Sequence, residues 1–380
     1  MFKTISENYI LRGTLIDYTE CNNGHINDTY RVKFAINESM DEEYIFQRIN
    51  SYVFKDPIKV MDNIKEITLY LQSKNAETDC DIITFLDNKY GKNYTLMGSD
   101  YWRVCHFVVN SVTYETVENS KVLFSAGYAF GRFQYMFSDL PMERLYDTIP
   151  DFHNTRKRMD ALFETVTLDP MGRVKDLKDE IAFFEKYRNT ASKLIDMLEM
   201  GELPLRVTHN DTKYNNILMD KDTSEPLCVI DLDTVMPGLT MYDFGDAIRF
   251  AANTAVEDEK DLTKVSLNLE HYEEFTKGFM KASKGFLTKN EIDNMALGAI
   301  VITIELASRF LADHINGDKY FRIHKENHNL DRARCQIKLA QDMLDKYDVM
   351  CKIVNDTVFI EEVNNFSSIA FDETEVTMVV

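Results

Sequence analysis

The chain has 380 residues, 44% hydrophobic and 28% charged, which is enough apolar material for a full core and enough length for two lobes. Its 43 basic and 63 acidic residues leave a formal net charge of −20. That balance excludes a general nucleic-acid binder, which needs basic stripes against phosphate, and excludes docking on an anionic membrane surface. It does not exclude an anionic nucleotide, because a local pocket and a divalent cation outweigh a diffuse surface charge.

In chain order, the first ~110 residues read as β-rich. Tyr9–Ile16, Thr29–Ala35 and Tyr44–Ile49 are short, alternating and rich in β-branched or aromatic residues, and Asn22-Asn23-Gly24 between the first two predicts an antiparallel hairpin. A helix is predicted from Pro57, with Met61, Ile64, Ile67 and Leu71 at helical spacing, followed by strands near Asp81–Phe85 and Tyr101–Val109. Beyond Val109 the pattern turns helical, at about 116–137, 154–166, 174–199, 269–282, 289–315 and 331–347. One β-like island interrupts it, Leu205–Val235. The expectation is an α+β chain of two lobes, residues 1–110 with an antiparallel β-rich core and residues 111–380 larger and mainly helical. Phe124, Tyr128, Phe130, Phe133 and Phe137 read as a core stripe.

The N-terminal MFKTISENYILRGTL lacks the basic-then-apolar pattern of a secretory leader. The longest apolar run, Met295–Ile304, is about half of the ~20 residues a membrane helix needs and predicts a buried core helix. Cys21, Cys80, Cys105, Cys228, Cys335 and Cys351 form no C-x-x-C pair and have no zinc spacing, so free thiols in a reducing cytoplasm are expected.

The chemistry concentrates in VTHNDTKYNNILMDKDTSEPLCVIDLDTVMPGLTMYDFGDAIRF, from Val207 to Phe250. Asn and Asp are poor strand and helix formers, yet here they flank Ile217-Leu218-Met219 and Cys228-Val229-Ile230. Polar groups at the ends of buried strands must be paired or must bind something. Phosphoryl transfer needs this set: one carboxylate to accept the proton of an attacking hydroxyl, and hard oxygen ligands to hold Mg²⁺ against nucleotide phosphates. The spacing from Asp211 to Asn216 lets one loop present both functions, and a hairpin then returns Asp231 to the same place.

H-x-D-x-x-x-x-N followed by I-D resembles the aminoglycoside phosphotransferase and choline kinase group, which has the bilobal protein-kinase-like fold. More narrowly, HNDTKYNN, VIDLDTVMPG, YDFGDAIRF, NNGHINDTY and YIFQRIN resemble the N-acetylhexosamine 1-kinases of that group. The resemblance implies Asp211 as catalytic base, Asn216 and Asp231 as Mg²⁺ ligands, and Asp233 as a ligand for a second metal. It implies structural roles for His209 and for Asp243, the latter at the end of the G-x-x-x-x-D element that starts at Gly238. It implies ATP as phosphoryl donor and the anomeric hydroxyl of GlcNAc or GalNAc as acceptor. Other acceptors of the same fold are choline, an amino alcohol, an aminoglycoside or another sugar, and a non-catalytic nucleotide-binding protein is the reading outside enzymes. The net negative charge weakly favours a cationic acceptor.

No G-x-x-x-x-G-K-[ST] and no G-x-G-x-x-G is present, which excludes Walker-type and simple Rossmann phosphate loops. The turn carrying Asn23, Gly24 and His25 is the alternative, since backbone N–H groups in such a turn cover phosphates. Kinases of this fold place a cation on the third strand, but Tyr44-Ile45-Phe46-Gln47-Arg48 has no lysine. Arg48 is the better phosphate partner of the two polar residues there, with Glu66 or Asp62 as helix partner. Alternation does not decide whether Gln47 or Arg48 faces the nucleotide. Adenine is expected near Val108–Ser111, including Asn110. For the acceptor, Glu305, Arg309 and Asp313 share one helix face at i, i+4 and i+8, with Tyr320 beyond as a stacking surface.

Overall fold

The structure, a computed structural model, describes residues 1–21, 26–74, 81–114 and 119–358. In chain order the elements are α1 (Phe2–Ser6), β1 (Thr14–Cys21), β2 (Asp28–Asn37), β3 (Met40–Arg48), α2 (Pro57–Ser73), β4 (Asp81–Ile82), β5 (Thr95–Met97), β6 (Asp100–His106), β7 (Ser111–Val112), α3 (Ser120–Met136), α4 (Thr155–Leu168), α5 (Lys178–Glu199), β8 (Arg206–Thr208), β9 (Ile217–Asp220), β10 (Pro226–Val229), β11 (Met236–Gly238), α6 (Thr240–Ala251), α7 (Leu269–Ser283), α8 (Lys289–Asp293), α9 (Met295–Ile315) and α10 (His328–Asp345). They fall into two compact units, one of residues 1–113, 139–150 and 216–237, the other of 114–138, 151–215 and 238–380. Two later segments, 139–150 and 216–237, therefore belong to the first unit.

The first unit is built on an antiparallel sheet of order β1-β2-β3-β6-β5. The predicted hairpin pairs Cys21 with Thr29 and Thr14 with Ala35, and its Asn22-Asn23-Gly24 turn lies outside the described residues. Inward positions Val32, Phe34, Tyr44, Phe46, Trp102 and Val104 form the core with Phe2, Ile5 and Tyr9. The first strand starts later than its residue types suggest. Tyr9 is apolar packing rather than strand: it is 3% exposed and its hydroxyl donates to the Trp102 carbonyl at 3.3 Å. Helix α2 starts where Asp56 accepts from the Lys59 N–H and Pro57 occupies the first turn, which needs no donor there. A second sheet of order β4-β10-β9-β7 completes the unit.

The second unit is helical. Helices α3 and α7 pack closely enough that a Cβ on Gly278 would lie 2.1 Å from the Phe124 carbonyl oxygen. Backbone cannot yield as a side-chain tip can, so Gly278→Ala is expected to cost about 1–3 kcal/mol in urea unfolding. Phe130, Phe133 and Phe137 of the predicted stripe are at most 1% exposed. The apolar run belongs to α9, 21 residues long with mean hydropathy 1.7, and 83% of its apolar window is buried inside the protein as a core helix. The helix expected over 289–315 is two helices, because Asn294 leaves helical geometry (φ −109°, ψ 7°) between α8 and α9. Helix α6 was hidden in the polar island, since its buried face carries Asp243 and Asp246 among apolar residues.

Candidate active site

In the second unit, β8 delivers His209 into the interior, where it is fully buried with the rings of Phe130 and Phe133 edge-on at 5.7 Å each. The next residue, Asn210, sits in the left-handed region at φ 64°, a conformation that non-glycine residues adopt only when the surroundings impose it. The surroundings are a carboxylate at the start of α6. Asp243 Oδ2 accepts from the His209 N–H and Oδ1 from the Asn210 N–H, both at 2.7 Å, and Gln134 donates to Oδ2 at 2.6 Å. Burial raises the Asp243 pKa above the ordinary aspartate value, against the His209 ring and these donors. One turn later, Asp246 accepts from the Thr212 N–H at 3.0 Å and pairs with Arg249 at 2.9 Å. Gly238 makes room for the loop: a Cβ there would lie 2.3 Å from Thr208 Oγ1.

This clamp presents Asp211, whose side chain is 27% exposed, with Lys213 Nζ 3.1 Å from its Oδ1. Burial disfavours the lysine charge, but Asp211, then Asp246 and Glu257, outweigh it and hold the ammonium above the ordinary lysine value. Sequence reasoning missed Lys213 by attending to oxygen ligands alone. Its signal was a cation two residues after the candidate base, where a phosphate would need one.

In the first unit, β9 and β10 pair Val229 with Ile217, and the ladder ends where the Ile230 N–H donates to the Asn216 carbonyl at 2.9 Å. Asn216 and Asp231 therefore stand at the same end of one hairpin, with Asp231 in the left-handed region at φ 58°. The donor set, an amide oxygen and a carboxylate, fits Mg²⁺, which takes few protein ligands and completes its shell with phosphate and water. Among the described residues no group of three His, Cys, Asp or Glu side chains could hold a metal by itself.

Asp233 lies deeper than Asp231. It is 2% exposed; Oδ1 is paired with Arg103, itself 1% exposed, and Oδ2 accepts from Asn27 at 2.6 Å. Both oxygens are engaged within the protein, so in this structure Asp233 anchors the turn after Asp231. Arg103 lies on β6 beside Gln47 in register, donates to Gln47 Oε1 at 2.8 Å and covers the Phe85 ring at 4.4 Å. The buried cation of this sheet is thus one strand away from the position expected for it. Arg48 is exposed and pairs with Asp28 and Asp100. Glu66 pairs with Arg144. The Arg48–Glu66 pair is not formed, because β3 turns Arg48 outward. Asn110 donates to Asp220 at 2.7 Å and Asp222 at 3.2 Å, so its side chain fastens β7 to the β9–β10 turn, while Ser111 donates to the Val108 carbonyl at 2.7 Å. Asn23, Gly24 and His25 lie outside the described residues.

The α9 face splits in two. Asp313 accepts from the N–H groups of Lys319, Tyr320 and Phe321 and from Asn329, all within 3.0 Å, so it caps the loop after α9 and has no capacity left for an acceptor. Glu305, 1% exposed, meets His153 Nδ1 at 2.6 Å, Arg309 at 3.4 Å and Arg158 at 3.8 Å. Burial opposes its charge, yet His153, Arg309 and Arg158 hold it below the ordinary glutamate value. Burial and Arg309 in turn press Arg158 below the ordinary arginine value. Arg309 lies 5.5–5.9 Å from the rings of Phe152, Tyr320 and Phe321, with Tyr320 66% exposed. His153 Nε2 reaches the Asn210 carbonyl at 3.3 Å, which ties this cluster to the Asp211 loop.

Residues 17–263 match the model of the phosphotransferase enzyme family. A microcompartment-associated aminopropanol kinase is similar at 13% identity, covering 92% of this chain and 98% of its own, with a TM-score of 0.60. An aminoglycoside phosphotransferase from Alicyclobacillus acidocaldarius is similar at 12% identity over 94% and 96%, with a TM-score of 0.59. A spectinomycin phosphotransferase, solved with ADP and spectinomycin, is similar at 14% identity over 93% and 96%, with a TM-score of 0.52. These likenesses carry the fold, which is the α+β protein-kinase-like one.

Proposed function

The chain belongs to the phosphotransferase enzyme family, and from that premise we propose that it is an ATP-dependent kinase for a hydroxyl of a neutral sugar, with the anomeric hydroxyl of an N-acetylhexosamine as the leading candidate. The observation that carries the choice of acceptor is the charge around Glu305. Three cationic or ionisable side chains, His153, Arg158 and Arg309, surround one carboxylate, and the second carboxylate of that helix face is consumed as a cap. A cationic choline, amino alcohol or aminoglycoside would meet like charge there; a hydroxyl-rich sugar finds donors and an aromatic surface at Tyr320. The local charge outweighs the diffuse −20 of the whole chain.

Asp211 accepts the proton of the attacking hydroxyl and orients it. Lys213 beside it offers a cation to the transferring phosphoryl group. Asn216 and Asp231 would hold Mg²⁺, which supplies charge neutralisation on the phosphate oxygens. The backbone near Val108 is the proposed adenine contact, and the ADP-bound relative supports a nucleotide donor. The described cysteines are all free thiols, which supports a reducing, cytoplasmic setting.

The test is ADP release from ATP and Mg²⁺ across GlcNAc, GalNAc, glucose, choline and kanamycin, with product position read by phosphorus NMR. A sugar 1-phosphate from the N-acetylhexosamines is the expected result. Turnover with choline or kanamycin alone would discard the sugar and the charge argument while keeping Asp211.

A further inference from the structure

His153 lies just before α4, 152 residues from Glu305 in sequence, and is the polar link between the α9 cluster and the loop of the base. Its side chain is 12% exposed. Nδ1 faces Glu305 Oε2 at 2.6 Å and Nε2 faces the Asn210 carbonyl oxygen at 3.3 Å. A carboxylate and a carbonyl are acceptors only, while a neutral imidazole has one donor. Two bonds therefore require a ring with hydrogen on both nitrogens.

We infer that His153 stands as an imidazolium between Glu305 and the Asn210 carbonyl and positions the loop that presents Asp211. The inference rests on the reading of Asp211 as base. A neutral ring bonded to a protonated Glu305 is the alternative assignment. It is disfavoured because, although burial opposes the Glu305 charge, His153, Arg309 and Arg158 keep that carboxyl below its ordinary value.

Other polar groups of Asn210 are tied elsewhere. Its N–H goes to Asp243 at 2.7 Å, its Oδ1 accepts from Thr208 at 3.0 Å, and its side-chain amide donates to the Thr208 carbonyl at 3.3 Å. The bond from the ring to its carbonyl adds a hold on a residue at φ 64° that immediately precedes Asp211. Removal of the ring takes that hold away from the peptide between Asn210 and Asp211. His153 is thus a positioning residue. Glu305 from α9, which also meets Arg309 of α9 and Arg158 of α4, faces it, as does Tyr242 from α6 with ring centroids 5.8 Å apart; Asp151, two residues before it in the chain, is paired with Lys157 at 2.7 Å.

Two readouts test this. In protein labelled with ¹⁵N-histidine, both ring nitrogens of His153 are expected to carry hydrogen at neutral pH, with the signals assigned by their loss in His153→Gln. A single protonated nitrogen overturns the inference, whatever the enzyme phosphorylates. In steady-state kinetics of ADP release with GlcNAc, His153→Gln is expected to lower kcat about ten- to a hundredfold and to leave KM for ATP within twofold. An unchanged kcat overturns it. Glu305→Gln removes the anionic partner and is expected to leave one ring N–H at neutral pH; two would overturn the assignment. A silent acceptor panel with a doubly protonated ring overturns the proposed function and supports the bridge.

Discussion

Asp211→Asn is expected to lower kcat by about 10²–10⁴-fold while the unfolding midpoint stays at the wild-type value. The substitution keeps the size of the side chain and removes only its charge and its capacity to take a proton. The fold does not depend on that charge. Asp211 is partly open, and the loop around it is held by Asp243, by Asp246 and by the edge-on rings beside His209. The cost to structure includes the partly exposed ion pair with Lys213, a class that contributes little stability. On the proposed reading of Asp211 as base, the cost to chemistry is the proton acceptor itself. Lys213 also loses the first of the carboxylates that support its charge, so the defect includes a weaker hold on the transferring phosphate. Paired kcat and thermal-melt measurements check this. Wild-type turnover in the variant would remove Asp211 from its role, and a collapsed melt would make the loop structural instead.

The parts of this site that were legible in the sequence are local. Asn216 and Asp231 bracket two short apolar runs, and a β9–β10 ladder of that length has to return one beside the other. Asp243 and Asp246 are three apart, a spacing that puts both on one turn of α6, although the surrounding polar residues disguised the helix. The illegible parts are set by partners far away in the chain. Arg103 and Asp233 are 130 residues apart, and nothing on β6 says that an arginine there turns inward while Arg48 on β3 turns outward. His153 gains its meaning only from Glu305 and Asn210. Helical spacing placed Glu305 and Asp313 on one face correctly, but it carries no information on the loop beyond the helix. That loop returns to Asp313 with three N–H groups, and this is the difference between a cap and a binding group. Residue type showed that a carboxylate was present; depth and partner decided what it does.

Arg103→Ala is expected to cost about 3–5 kcal/mol in urea unfolding, among the largest single losses available in the first unit. The reason is the charge left behind. Asp233 is 2% exposed, and without the guanidinium its charge stays in the interior with a single neutral donor, Asn27, at 2.6 Å. Gln47 loses a partner at 2.8 Å and the Phe85 ring loses the cation 4.4 Å above it. Replacing both charges, Arg103→Met with Asp233→Leu, removes the uncompensated anion and is expected to recover most of that stability, because an apolar pair of similar volume often equals a buried ion pair. Activity is expected to stay low in the double variant. Asp233 lies in the 3-10 turn Leu232–Thr234 directly after Asp231, whose backbone is held at φ 58° and ψ 54°. The ion pair fixes that turn, whereas two apolar side chains have no directional bond with which to do so. Restored stability with restored turnover would show that packing alone holds Asp231 in place. Restored stability without turnover separates the two contributions: burial keeps the unit folded, and the charge pair aims the carboxylate.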